Sequence, residues 1–380
     1  MRSKGPAAIM NSRAPSYHLL HRQPGGLIEA RWRACLAGAD FPTHYTAPEF
    51  FLEPGFRNKG PFAVLSLSGE EVTAVLTGTN DGAYVQSGLS VRPQIVFSRR
   101  ADRARAMANV VDGLLVEAAS AKLVDLFVWS DVATLVDPRF RKKQYEGVAM
   151  LDLSHGPDAL FRKFSENKRR NIKRAIKYGV SVEPANDPGK VADYYSVCVE
   201  WSRRKGLSIP GEKEFHRTVA LRNNRLLLLA RHEGKIVAGV VIRFSPHGVM
   251  EYAANSSLQN ALHLRPNDLL HWRAIEWGCQ EGMTHYSLGG AHLFLRKFGG
   301  EIVPTTRHRL DLSTFRRFAI GDWIADRAEQ ARPLIPGRLA TVARSLRGFL
   351  EKPRNQRAKT GHDGPQIPTG RNRTVGRKSA

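Results

Sequence analysis

Apolar residues along the chain fall into two similar blocks of short runs separated by polar, glycine-bearing breaks. In the first, FAVLSL (62–67), VTAVLTG (72–78) and AYVQSG (83–88) are joined by SGEE and NDG, which predicts three consecutive strands linked by tight turns. Apolar spacing then changes to three and four residues in ADRARAMANVVDGLLVEAASAK (101–122), a helix, followed by the unbroken apolar run LVDLFVW (123–129), a buried strand. The second block repeats the order: RLLLLAR (225–231), IVAGVVIRF (236–244) and VMEYAANS (249–256) as strands, RPNDLLHWRAIEWGCQEG (265–282) as a helix, THYSL (284–288) as a strand. The turn glycines Gly69 and Gly82 in one copy answer to Gly234 and Gly248 in the other. Each copy reads β-β-β-α-β, and the repetition is the main structural signal in the chain. A strand (VSVEPA, 180–185) and two helices (188–206 and 211–224) precede the second copy. The order predicts an α/β fold with a mixed sheet, antiparallel where strands follow one another and parallel where a helix crosses over.

The ends differ from the middle. Residues 1–25 are rich in Pro, Gly and basic residues and read as a flexible N-terminus, and 352–380 has almost no large apolar side chain, which predicts a disordered basic tail. Between them we expect an N-terminal domain over 26–153, a C-terminal domain over 154–315 and C-terminal helices over 316–351. The segment 336–352 places Leu339, Val342, Ala343, Leu346, Phe349 and Leu350 on one helical stripe with arginines off it, which suits peripheral contact with an anionic membrane or packing on the domain.

Net charge changes the picture most. The chain carries 58 Lys and Arg against 35 Asp and Glu, a formal +23, so its field favours anionic partners such as nucleic acid, lipid head groups and nucleotide-linked precursors. The three cysteines are too few and too scattered for a disulfide framework, and the histidines lack metal-ligand spacing, so neither disulfide nor metal is expected. The start lacks a run of signal-peptide length and nowhere is there a membrane-spanning apolar stretch, so a cytoplasmic protein is expected, with peripheral contact at the inner face of the membrane as an option.

The charge is densest over 160–178. Leu160, Phe161, Phe164, Ile172, Ala175 and Ile176 form an apolar stripe on an expected helix, while Arg162, Lys163, Arg169, Arg170, Lys173, Arg174 and Lys177 fill the rest, opposed only by Glu166. So one-sided an excess is not explained by pairing within the helix, and it reads as an anion-facing surface or as a solvated face. Pro266 opens the helix of the second copy, where its missing N–H costs nothing, and the free amides of that helix start suit a phosphate or an oxyanion; the plain alternative is a corner capped by Asn267 and Asp268.

The element order, with ENKRRNIKRAIKYGVSVEP (166–184), EYAANSS (251–257), LRPNDLLHWRAIEWGCQEGMTHYSLGG (264–290) and FLRKFGG (294–300), resembles the GNAT acyltransferase fold, and two such units in tandem resemble the FemAB-like acyltransferases. The likeness runs over roughly residues 26–315 and is strongest over 160–300. It implies an acyltransferase moving an acyl group, acetyl by preference, from acyl-CoA to an amine or hydroxyl of a cell-envelope or polysaccharide precursor. A tRNA-dependent aminoacyl transferase acting on a peptidoglycan precursor is the alternative, with tRNA as its partner, and a non-catalytic nucleic-acid-binding protein is the third reading. The resemblance implies that Arg170 and Lys173 border the substrate cleft. It implies that the backbone near Tyr252, Asn255 and Ser256 polarises the donor carbonyl, with Tyr252 as a proton donor to the leaving group or a substrate contact. Asn255, Ser256, Asn267, Arg296 and Lys297 are the further substrate-binding candidates, and Pro266, Asp268, Gly289 and Gly290 are the donor-binding ones. Glu251 and Glu276 are candidates for a general base. Two departures stand out: LRPNDL occupies the place of the Q/R-x-x-G-x-G/A pyrophosphate loop, and Leu295 that of the lysine in F-K-x-x-F-G.

Overall fold

In a computed structural model the described residues are 16–331, apart from 57, 90, 186, 221–223 and 291–296. Both repeats form as expected. In the first half, β1 (Tyr17–Leu20) and α1 (Gly26–Ala37) lead through short 3-10 turns over residues 44–56 into β2 (Pro61–Ser68), β3 (Glu71–Asn80), β4 (Tyr84–Ser87), β5 (Ile95–Phe97), α2 (Arg103–Glu117), β6 (Leu123–Trp129) and β7 (Arg141–Asp152). The second half runs α3 (Gly156–Lys163), α4 (Glu166–Lys177), β8 (Ser181–Pro184), α5 (Pro188–Lys205), α6 (Glu212–Ala220), β9 (Arg225–His232), β10 (Lys235–Phe244), β11 (Val249–Ser257), α7 (Pro266–Gln280), β12 (His285–Gly290), β13 (Glu301–Asp311) and α8 (Arg317–Ala331). Strand β1 pairs antiparallel with β2, so part of the N-terminus expected to be flexible is an edge strand, with Tyr17 and Leu19 packed on the first half's core. The segments 336–352 and 352–380 lie outside the described residues.

The halves use one pairing scheme. β2–β3–β4 and β9–β10–β11 are antiparallel, and β4 pairs parallel with β6 as β11 does with β12. Gly69, Gly82 and Gly234 take the left-handed backbone their turns need. At the fourth turn His247 (φ 54°) does this instead of Gly248, which lies against the Pro42 carbonyl where a Cβ would come within 2.5 Å. Helices cover both faces. α2 packs on one core and α1 on another in the first half, while α3, α4 and α7 share a core on one face of the second half and α5 and α6 share one on the other.

The boundary expected at residue 153 does not separate two sheets, because the halves exchange strands. The described strands form a single 13-stranded sheet in which β13 lies between β6 and β7, and β7 lies between β13 and β12. The second half thus ends inside the first, and the first ends inside the second. Buried charge fixes the exchanged strand: Arg309 of β13 donates from Nε and Nη2 to both carboxylate oxygens of Asp125 on β6 (2.8 and 2.7 Å), and from Nη1 to Asp322 (2.9 Å). The Tyr84 hydroxyl donates to Asp125 at 2.5 Å. The planar guanidinium satisfies two buried carboxylates at once, the arrangement in which a buried ion pair offsets its desolvation.

At the crossing of β7 and β13 the register shifts between Val303 and Thr305, where Pro304, with no N–H to give, sits in the bulge. Opposite it Gly147 has φ 106°, and a Cβ there would lie 1.9 Å from the Val303 carbonyl oxygen. Gly147→Ala is therefore expected to destabilise the whole chain by at least about 2 kcal/mol, read as a lower midpoint of one urea transition. Separate transitions for the two halves, or an unchanged midpoint, would contradict the exchange.

Candidate active site

The site begins where two strands part. The parallel ladder between β11 and β12 holds for Val249, Met250 and Glu251 and stops at the pair Glu251–Ser287. Strand β11 runs on to Ser257, held on its other side by β10, and a register shift against Val241 and Ile242 leaves Ala253 as an extra residue. Such a bulge bends and twists its strand, and here it carries residues 252–257 away from β12. A fork results, with one rim made of β11 backbone. In the first half, by contrast, β4 stays paired with β6 through its last residue, Ser87, and Gly88 packs so tightly on Phe127 that an added Cβ would lie 2.6 Å from the Phe127 Cβ.

Tyr252 lies on the fork's α7 side, its ring 5.6 Å from that of His271. Burial pushes its hydroxyl up to about 12, so at neutral pH it is a proton and hydrogen-bond donor rather than a base. Behind it His271 Nδ1 is 2.5 Å from the Tyr286 hydroxyl, and burial, helped by the Lys168 ammonium, lowers the imidazole to about 3. His271 is a neutral member of the wall.

The second component is the start of α7. Arg265 precedes it in the left-handed region (φ 62°), no side chain caps the helix, and Pro266 occupies its first position, so amides of the first turn remain open to an anion. The corner capped by Asn267 and Asp268 is thus not what forms. Asn267 Oδ1 instead accepts from Asn255 Nδ2 (3.2 Å), which ties the helix start to β11. Asp268 is buried in a salt bridge with Lys168 of α4 and accepts from Asn171 Nδ2 (3.1 Å). Burial lowers the Lys168 pKa, the Asp268 carboxylate raises it, and the positive charges of Lys297 and Arg265 lower it again; the net direction is down. Lys168 also lies over the Phe298 ring, 4.8 Å from its centroid. Three cations from three chain segments, Lys168, Arg265 and Lys297, gather at one open helix start.

The third component joins the halves behind the fork. Glu251, at the last paired rung, is buried and its carboxylate lies 3.1 Å from Nδ1 of the wholly buried His44 and 3.5 Å from Arg92 Nη1, both from the first half. Nearby, Arg225 of β9 pairs with the buried Glu53, and Arg243 of β10 donates to the Tyr45 hydroxyl. Burial raises the Glu251 carboxyl, while Arg92 and Arg243 pull it back. Burial, then Arg225, Arg243 and Arg92, hold His44 well below the ordinary histidine range, so it is neutral and its Nδ1–H donates to the Glu251 carboxylate. A carboxylate with a raised pKa at a strand fork, oriented by a neutral imidazole, is equipped to accept a proton.

The structure thus assembles Tyr252, Asn255, Asn267, Pro266, Asp268 and Lys297 around the fork and the start of α7. The Ser256 amide donates to the buried Tyr194 hydroxyl (3.1 Å) on the strand's other face. Gly289 and Gly290 lie in β12, with Gly290 paired to Val148, and Arg296 lies outside the described residues. Arg170 and Lys173 are exposed on the outer face of α4, where Arg170 donates to Asn167. Glu276 pairs with Arg273 along α7. The single basic helix expected over 160–178 is two helices, broken at Phe164 and Ser165, because Ser165 accepts from the Lys168 amide and starts a new one. Lys168, missed from the sequence, had a signal: it falls on the apolar stripe, four residues from both Phe164 and Ile172, where a lysine is buried only with a partner. His44 and Arg265 carried none that spacing reveals. Among the described residues no group is placed to hold a metal, and no helix is long and apolar enough to cross a membrane.

Residues 162–296 match the family model described as the acetyltransferase (GNAT) domain. Curated proteins give no match. Among solved structures the chain resembles FemX (TM-score 0.56, 12% identity, covering 73% of this chain and 95% of that one). It also resembles the C-terminal domain of a putative lysylphosphatidylglycerol synthetase from Agrobacterium fabrum (0.51, 12%, 77% and 94%) and L-PGS from Bacillus licheniformis (0.50, 13%, 78% and 94%). At these identities the likeness is one of fold. Residues 162–296 thus carry an acetyltransferase (GNAT) domain, and the chain as a whole shares its fold with FemX.

The neutral wall has a pH signature. His271 in the folded chain binds its proton only near pH 3, whereas in the unfolded chain it does so near the ordinary 6.5. The unfolded state takes up the proton first, so this contribution is complete above pH 6.5 and declines as pH falls toward 3. At pH 5 His271 is expected to account for about 2 kcal/mol of lost stability relative to pH 7. His271→Gln should flatten the fall in urea midpoint between those pH values; an unchanged slope would contradict a neutral His271.

Proposed function

We propose that the chain transfers an acyl group, acetyl by preference, from an acyl-CoA to an amine or hydroxyl of a cell-envelope or polysaccharide precursor. The observation that carries this reading is the fork, whose β11 rim offers backbone donors beside a protonated Tyr252, a raised carboxyl at Glu251 and an uncapped, cation-ringed helix start. The first turn of α7, with Arg265, Lys297 and Lys168, holds the anionic part of the donor. The backbone of 252–255 polarises the reacting carbonyl, a role set by geometry rather than by side-chain identity. Glu251, oriented by His44, takes the proton from the attacking amine or hydroxyl. The nucleophile's bond to the acyl carbon forms as the thioester C–S bond breaks, and the Tyr252 hydroxyl supplies a proton to the departing sulfur. No covalent enzyme intermediate is needed.

A second reading has a specific support. One of the folds named above comes from a putative lysylphosphatidylglycerol synthetase, and the outer face of α4 presents Arg170, Lys173 and Arg174 to solvent. An aminoacyl-tRNA donor acting toward a peptidoglycan precursor would use that face for the RNA backbone. A thermal-shift comparison separates the two: acyl-CoA thioesters raise the melting temperature on the first reading, and charged tRNA in preference to uncharged tRNA on the second. On the first reading Glu251→Gln keeps the acyl-CoA shift and loses about 100-fold or more in kcat. No shift with any thioester, or a wild-type rate for Glu251→Gln, would overturn it.

A further inference from the structure

The last described helix is turned the wrong way round for a soluble surface. Its inward side is fixed: Phe318 is buried, Asp322 is held by Arg309 and Arg307, and the Asp311 carboxylate accepts from the amides of Phe318 and Ala319 at 2.8 Å each. With that phase set, the outward side carries Ile320 (53% exposed), Trp323 (56%) and Ile324, at helical spacing, and the turn before it adds Leu312 and Phe315, the latter 83% exposed. Among the described residues the other exposed large apolar side chains are spread along the chain, with Ile176 and Tyr178 as their one near pair. Here five fall within thirteen residues, which is how an interaction surface differs from ordinary surface apolarity.

Charge says what covers it. Arg316 and Arg317 lie between Phe315 and Ile320 and Arg327 beyond Ile324, its guanidinium 5.7 Å from the centre of the Trp323 ring; of the acids in the same stretch of sequence, Asp322 is taken up by Arg309 and Arg307, which leaves Asp326 and Glu329. Arg141 reaches the Ala319 carbonyl from the start of β7, next to the exposed Lys142. The chain that follows, 332–380, has twelve Lys or Arg and two acidic residues. A second copy, or this segment folded back, would bring like charge onto the patch. An anionic bilayer meets both requirements, taking aromatic and aliphatic side chains at the acyl boundary and arginines at the head groups. We propose that Leu312, Phe315, Ile320, Trp323 and Ile324 form a membrane-docking face that seats the enzyme on anionic lipid. It is separate from the fork and does not depend on which donor the fork takes.

The test uses the full chain and vesicles of phosphatidylcholine with or without phosphatidylglycerol. The chain is expected to co-sediment with the anionic vesicles only, and lipids brominated in the acyl chain should quench tryptophan emission in wild type more than in Trp323→Phe. The triple variant Phe315→Ser/Ile320→Ser/Trp323→Ser should lose about tenfold or more in partitioning at an unchanged urea midpoint. The proposal is overturned if the triple variant partitions like wild type, since the basic C-terminal segment alone then suffices, or if neither vesicle binds. It is equally overturned if Trp323 is shielded from acrylamide without lipid, or if wild type is a dimer that the triple variant makes monomeric.

Discussion

One strand placed out of sequence order holds the molecule together. β13 belongs to the second half by chain order, yet its residues 305–311 pair with β6 of the first half and 301–309 with β7. Without that exchange the halves would meet as two sheets with free edges and a movable joint. With it they form one sheet, and the joint is a set of ladder bonds plus the buried triad of Arg309, Asp125 and Asp322. Rigidity here has a consequence far from β13: the turns over residues 44–56 of the first half are held against β9, β10 and β11 of the second, close enough for His44 to touch Glu251.

That contact assigns the two halves different work. The second half owns the fork, the bulge at Ala253 and the open start of α7. The first half, in which β4 stays paired with β6 to its last residue, supplies the covering that desolvates Glu251 and the imidazole that orients it. A carboxyl raised by burial is useful only if something prevents water from relaxing it, and the strand exchange keeps the cover closed. On the opposite face the Lys168–Asp268 pair does similar work, fixing α4 against α7 so that Lys297 and Arg265 remain at one helix end. Charge buried at both faces thus sits where geometry, not strength, is the requirement.

Much of this was legible in the sequence because periodicity is local. Three strands, a helix and a strand, twice over, follow from alternation and spacing, and the residues at the fork follow from their place in the second copy. What stayed hidden is what depends on distant pairing. Nothing in EIVPTTRHRLD announces that it joins LVDLFVW some 180 positions earlier, and a boundary at residue 153 is the natural reading without it. The break at Ser165 was visible as a serine three residues before Lys168, but the continuous run of basic residues masked it. Lys168 was placed on neither face, although its position on the apolar stripe marked it as buried. Arg170 and Lys173 came from a resemblance that places the basic helix beside the cleft, and a helix's place in a fold does not say which of its sides faces the cleft. His44 lies in a turn with no period to reveal it, 207 residues from its partner.

The claim that organises the rest is that the donor's reacting carbonyl lies in the fork between β11 and β12. A crystal structure of the full chain with a bound acyl-CoA tests it most directly. The account predicts the thioester oxygen about 3 Å from a backbone amide of residues 252–255, with the diphosphate at the first turn of α7 beside Arg265. A donor seated elsewhere, or a β12 zipped onto β11 beyond Ser287 with the fork closed, would contradict it.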